Sequence, residues 1–349
     1  MFSAYDLKID SDFFDDTFCT LKNYKNYKKI GENHLSSQLA PFKDKIQKFV
    51  LSDTMNGSEI QKKCFPEVDA DIFISHSHND KDLANSLAGW LYEEFGLKVF
   101  IDSNVWEYSN NLLNKINDKY SNKQINQNGE YLYDYRSCNY ASQHVNIMLS
   151  TALQKMIDKV ECVILLNTDN SISVFDNHNK TINQTYSPWI YSEILSTQII
   201  RKKPLFYYRE YRNDEIQAAF ESSSEKYFAF QITYDVSLEH LVKLNGSDLQ
   251  RWLEKYCLGF VEYYDYPLDA LYSFKNPKDF ESAKKISTCI NEKQRESLQI
   301  IKSAIDGDSD AQKKLEKLYS QICCEASDLN CTVCQGRRCQ FNNNLMEEK

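Results

Sequence analysis

The sequence predicts an α/β domain, a doubly wound five-stranded parallel sheet with helical extensions at both ends. Three observations carry this. Short apolar runs rich in Ile, Val and Phe occur at 70–75, 98–101 and 160–166, which suits parallel strands buried on both faces. The segments between them place apolar residues at helical spacing. Strand and helix then alternate across residues 66–258, as right-handed crossovers require.

Residues 1–65 mix charged and aromatic residues, with an amphipathic helix near Leu39–Leu51 and no motif. They read as a helical extension packed on the domain. The run Ala70–Ser75 is the first strand. Asp80 or Asn79 can cap the next helix, whose Leu83, Leu87, Trp90 and Leu91 form one apolar face. Gly96 closes it, because glycine adopts a left-handed conformation cheaply. Lys98–Ile101 is the second strand.

From Asp102 to Ser142 the chain is rich in Asn and Tyr and reads as a long loop, a candidate lid. Val145, Met148, Leu149, Ala152, Leu153, Met156 and Ile157 then repeat at helical spacing. Val160–Leu166 is the third strand, followed by a polar loop to Tyr186. Ser187-Pro188 starts a helix, hydroxyl cap first and proline next, which runs to Arg201. Pro204–Tyr208 and Tyr227–Thr233 read as the fourth and fifth strands, and Gly246-Ser247-Asp248 starts a helix through Trp252 and Leu253. Residues 259–349 form a C-terminal extension, with helices between Pro277 and Cys323 and a cysteine-rich tail.

The whole chain narrows the functional classes. Its 349 residues carry a net charge of −9, which argues against a basic nucleic-acid-binding face. No apolar run is long enough to span a membrane, and the start of the sequence has no secretory pattern. Eleven scattered cysteines, an odd number, fit a reduced cytoplasm better than a disulfide scaffold. Cys323, Cys324, Cys331, Cys334 and Cys339 include one CxxC, with free thiols favoured over a zinc site because the spacing is irregular.

In open α/β sheets ligands bind beyond the carboxyl ends of the strands. That edge gathers Ser75, His76, Ser77 and His78 with Asp102, Ser103 and Trp106. Trp189 and Glu193, four apart, share one face of a later helix. The runs DIFISHS and KVFID, and SPWIYSE with its W-x-x-x-E spacing, resemble the Toll/interleukin-1 receptor (TIR) family. The closest resemblance is to bacterial TIR enzymes of Thoeris anti-phage defence. It covers residues 66–258.

The resemblance implies a flavodoxin-like fold and cleavage of the nicotinamide–ribose bond of NAD+, which is substrate and not cofactor. Glu193 is then the catalytic carboxylate. Ser75, His76, Ser77, His78, Asp102, Ser103, Trp106 and Trp189 line the NAD+ site, and no metal is required. A cyclic ADP-ribose-type messenger that activates a separate effector is the expected product. Linear ADP-ribose from NAD+ depletion, or a non-catalytic TIR scaffold, are the alternatives. Self-association and a phage-derived trigger follow from the same resemblance. Each residue also has an ordinary reading: loop histidines bonded to backbone, serines satisfying loop amides, Asp102 as a cap, Trp106 as a packed anchor.

Overall fold

The computed structural model describes residues 1–15, 22–47, 56–65, 67–101, 103–177, 180–210, 232–257 and 264–285, with isolated positions at 310 and 313–314. It separates into two units, Met1–Glu281 and Ser282–Lys349, and the elements below belong to the first. In chain order β1 (Ser3–Lys8) leads to α1 (Tyr24–Gln47), α2 (Gly57–Cys64), β2 (Ile72–Ser75), α3 (Lys81–Phe95) and β3 (Val99–Ile101). Next come α4 (Ser103–Tyr120), the short strands β4 (Gln124–Ile125) and β5 (Tyr131–Leu132), α5 (Tyr135–Lys159) and β6 (Cys162–Leu166). The chain continues through β7 (Ser173–Asn177), β8 (Lys180–Thr185), α6 (Pro188–Ile199), α7 (Phe206–Glu210) and β9 (Tyr234–Val236). It closes with β10 (Val242–Asn245), α8 (Gly246–Cys257) and α9 (Pro267–Lys275).

The central sheet has five parallel strands in the order β10-β1-β6-β2-β3, and the expected α/β class holds. Which segments supply those strands differs from expectation. The N-terminal segment, read as a helical extension, contributes β1 to the interior of the sheet, paired to β6 on one side and β10 on the other. β1 therefore belongs to the same unit, Met1–Glu281, as the strands it pairs with.

Pro204–Tyr208, read as a strand, instead turns into α7, with the amides of Tyr207 and Tyr208 donating to the carbonyls of Pro204 and Leu205. The reason is competition. β6 has one free edge beyond β2, and β1 already occupies it. Arg209 then pins the segment through bonds of 2.5 and 2.8 Å to Glu161 and 2.5 Å to Asp269. Of the expected fifth strand, 227–231 lie outside the described residues and Ile232-Thr233 are not in a strand. The fifth central strand is β10.

The expected 102–142 loop is largely ordered structure: α4, the β4–β5 hairpin and the first turns of α5. Asn-rich composition misled here, because α4 carries Leu112 and Ile116 at helical spacing and both are buried. The expected polar loop before Tyr186 likewise holds β7 and β8, which with β9 form a separate antiparallel sheet.

Both faces of the central sheet are covered. One face packs Ala4, Phe73, Val163 and Leu165 against the α5 stripe, all seven residues of which are buried as expected. On the other, Trp252 stacks on Phe95 at 4.3 Å and meets Trp90 edge-on at 6.2 Å. Tyr5 reaches across to Asn276 with a 2.5 Å hydrogen bond. Gly96 ends α3 at φ 65°, as predicted.

Helix α1 is held to the sheet by a histidine. The outward N–H of Val99, on edge strand β3, donates to Nε2 of His34 at 3.2 Å, and the ring stacks on Tyr92 at 4.1 Å. Covering an edge strand this way removes an exposed pairing site. Burial, aided by repulsion from Lys98, pushes the His34 pKa from 6.5 down to about 4. The folded protein therefore keeps His34 neutral, while the unfolded chain takes up a proton below pH 6.5.

Stability from this group is complete above pH 6.5 and is lost as pH falls toward 4, up to about 3 kcal/mol. Urea midpoints measured from pH 7.5 to 4 are expected to fall more steeply for wild type than for His34→Gln. Equal slopes would remove His34 from this role.

Candidate active site at the carboxyl edge of the sheet

Strand β2 ends at Ser75, and the chain turns through His76 and Ser77 into a single 3-10 turn, His78–Asp80, before α3 begins. Ser75 and His76 are buried, Ser77 is half-buried and His78 is exposed. Asp80 stands at the N-cap position of α3, as expected, yet its carboxylate does not cap the helix. It accepts instead from Thr168 Oγ1 at 2.5 Å and Asn170 Nδ2 at 2.7 Å. The loop after β2 is thereby tied to the loop after β6. A carboxylate that takes two side-chain donors across two loops fixes their spacing better than a cap would.

Helix α6 starts where its sequence says it should. Ser187 Oγ accepts the Ile190 N–H at 3.3 Å, and Pro188 occupies the first turn. Trp189 is half-buried and packs on the core, and Glu193, one turn on, is 2% exposed. Ser75 Oγ donates to Glu193 Oε2 at 2.5 Å, joining residues 118 positions apart. The two segments singled out by sequence therefore meet. A space of about 10 Å³ lies beside this pair, bounded by Val163, Leu165, Ile194 and Thr197. It holds roughly one water molecule.

The remaining expected residues divide. Asp102 lies outside the described residues. Ser103 and Trp106 fall in the first turns of α4, whose side chains there are also outside the described residues. The tail cysteines lie outside them too. Among the described residues no group of three or more His, Cys, Asp or Glu could hold a metal ion, and no helix is long and apolar enough to cross a membrane.

Four polar groups escaped the sequence reading, three of them at this edge. Asp6, on β1, is wholly buried; Asn167 Nδ2 donates to it at 2.7 Å, and Lys243 Nζ forms an ion pair with its other oxygen. The signal was an acidic residue interrupting the apolar run around Ala4–Leu7. His240 lies 2.8 Å from Thr197 Oγ1, one turn past Glu193. Its pKa is lowered by burial, with Lys202 adding to the effect. Chemically, the edge offers one buried carboxylate bonded to a hydroxyl, Glu193–Ser75, and a second carboxylate two strands away bonded to a cation. No protein family, curated protein or solved structure matches the chain.

Proposed function

We propose that the chain is a TIR-type NAD+ glycohydrolase and cyclase of bacterial anti-phage immunity, acting in the cytoplasm. The observation that carries this reading is the 2.5 Å contact of Ser75 with Glu193 at the carboxyl edge of a parallel sheet. It brings the DIFISHS strand and the W-x-x-x-E helix, the two stretches that resemble the family, to one point.

Cleavage of the nicotinamide–ribose bond leaves an oxocarbenium-like centre and a leaving group that needs no proton. A fixed carboxylate stabilises that charge as it develops, much as in glycosidases. Glu193 supplies it, and Ser75 holds its orientation. Attack by water yields ADP-ribose, nicotinamide and a proton. Attack by an adenine nitrogen of the same molecule yields a cyclic isomer, nicotinamide and a proton. Exclusion of water from a tight site favours the second course, so a cyclic ADP-ribose-type messenger for a separate effector is the proposed product.

The 10 Å³ space beside Glu193 cannot hold a dinucleotide, so turnover requires the first turns of α6 to move away from Ser75. Self-association or a phage-derived trigger would drive that opening. The same closed space supports one other reading, a non-catalytic scaffold. The test is to incubate the purified protein with NAD+, alone and with infected-cell extract, and resolve the products by chromatography. Nicotinamide with a cyclic isomer is the expected result. Linear ADP-ribose as sole product would overturn the messenger, and unchanged NAD+ under both conditions would favour the scaffold.

A further inference from the structure

The strand pairings place Ser75, Leu165, Asp6 and Lys243 in one row across four neighbouring strands, and residues paired in a parallel sheet share a face. One end of the row is bonded to Glu193. At the other, Lys243 has a side chain 69% exposed while its partner Asp6 is 0% exposed. The pair therefore points a cation at solvent from a buried anchor.

An ammonium has three N–H donors, and Asp6 takes one, leaving two for a ligand. Asp6 lies two strand spacings from Ser75, roughly 10 Å. Stability does not explain the arrangement. A buried carboxylate carries a large desolvation cost, and apolar replacement of such pairs is often neutral or stabilising.

We propose that Lys243, held in place by Asp6, is the phosphate-binding residue of this edge and receives the pyrophosphate of a dinucleotide whose glycosidic bond lies at Glu193. The dinucleotide part of the proposal rests on the glycohydrolase reading; the phosphate subsite does not. Lysine suits this task as a point charge that tolerates several phosphate orientations. Because Lys243 is exposed, the subsite is open to anions even while the space beside Glu193 is closed.

Inorganic pyrophosphate titrated into the full chain by calorimetry gives the first test. Wild type is expected to bind it, Lys243→Arg to retain binding, and Lys243→Gln to lose about tenfold in affinity. Should leaving Asp6 unpaired unfold that variant, Asp6→Asn combined with Lys243→Gln keeps a neutral pair at the same site and is expected to show the same loss. No binding by wild type, or equal binding by the glutamine variants, overturns the proposal.

In the activated enzyme, Lys243→Gln is expected to lower kcat/KM for NAD+ relative to nicotinamide riboside, which lacks the pyrophosphate, by about tenfold. An unchanged ratio overturns the link to the dinucleotide. Pyrophosphate binding that depends on Lys243, in a protein that never turns over NAD+, would sink the glycohydrolase reading and leave the phosphate subsite standing.

Discussion

Glu193→Gln is expected to cut NAD+ turnover by about a hundredfold to a thousandfold while leaving the fold intact. The magnitude is that of removing a preorganised electrostatic partner from a developing charge in a water-poor site. Glutamine has nearly the same shape, and its side-chain oxygen can accept the Ser75 hydroxyl that now bonds Glu193 Oε2 at 2.5 Å. A wholly buried carboxylate carries a desolvation cost that glutamine does not, so the thermal midpoint should hold or rise. The two measurements together separate chemistry from folding: kcat with NAD+ in the activated protein, and melting by circular dichroism. A variant that melts normally and turns over at the wild-type rate would take Glu193 out of the reaction.

The second large effect lies far from this edge, where α1 crosses α3. A Cβ built on Gly89 would sit 1.9 Å from the Tyr27 carbonyl oxygen, and one on Gly31 would sit 1.9 Å from that of Asn85. Both obstacles are backbone atoms inside helices and cannot rotate aside. Gly89→Ala must therefore push the two helices apart, and α1 carries His34 and Tyr27 into the core.

Overpacking at a rigid contact costs about 3 kcal/mol or more, which exceeds the roughly 1 kcal/mol that alanine gains in helix propensity. A midpoint lowered by about 6 °C or more is expected for a unit of this size. Gly57→Ala is the control, since its Cβ would meet only the end of Met148 at 3.8 Å. Equal melting of the two variants would show that the crossing yields more easily than its geometry implies.

Local chemistry made much of this protein legible in its sequence. Gly96, the Ser187-Pro188 start and the α5 stripe each act within a few residues of themselves, so their signals sit in one stretch of chain. Glu193 was legible because its spacing from Trp189 is also local. What could not be read is pairing over distance. Residues 3–8 find partners near 162 and near 242, and nothing in a six-residue segment says which strand it will join.

Pro204–Tyr208 shows the converse. Its composition suits a strand, and it becomes a helical turn because its place beside β6 is taken. Asp6, Asn167 and Lys243 were missed for the same reason, each being unremarkable until the sheet assembles them.

The interior position of β1 also sets the order in which the protein can be finished. Its neighbours β6 and β10 lie more than 150 and more than 230 positions further along the chain. At ribosomal speeds the first strand must wait roughly 10–50 s for the last. Until then the sheet can form only β1, β6, β2 and β3, with the far edge of β1 open and unpaired. An open parallel edge of that kind recruits other chains. Folding of this protein therefore depends on keeping β1 from pairing elsewhere until β10 is made, a task suited to chaperones that hold nascent chains.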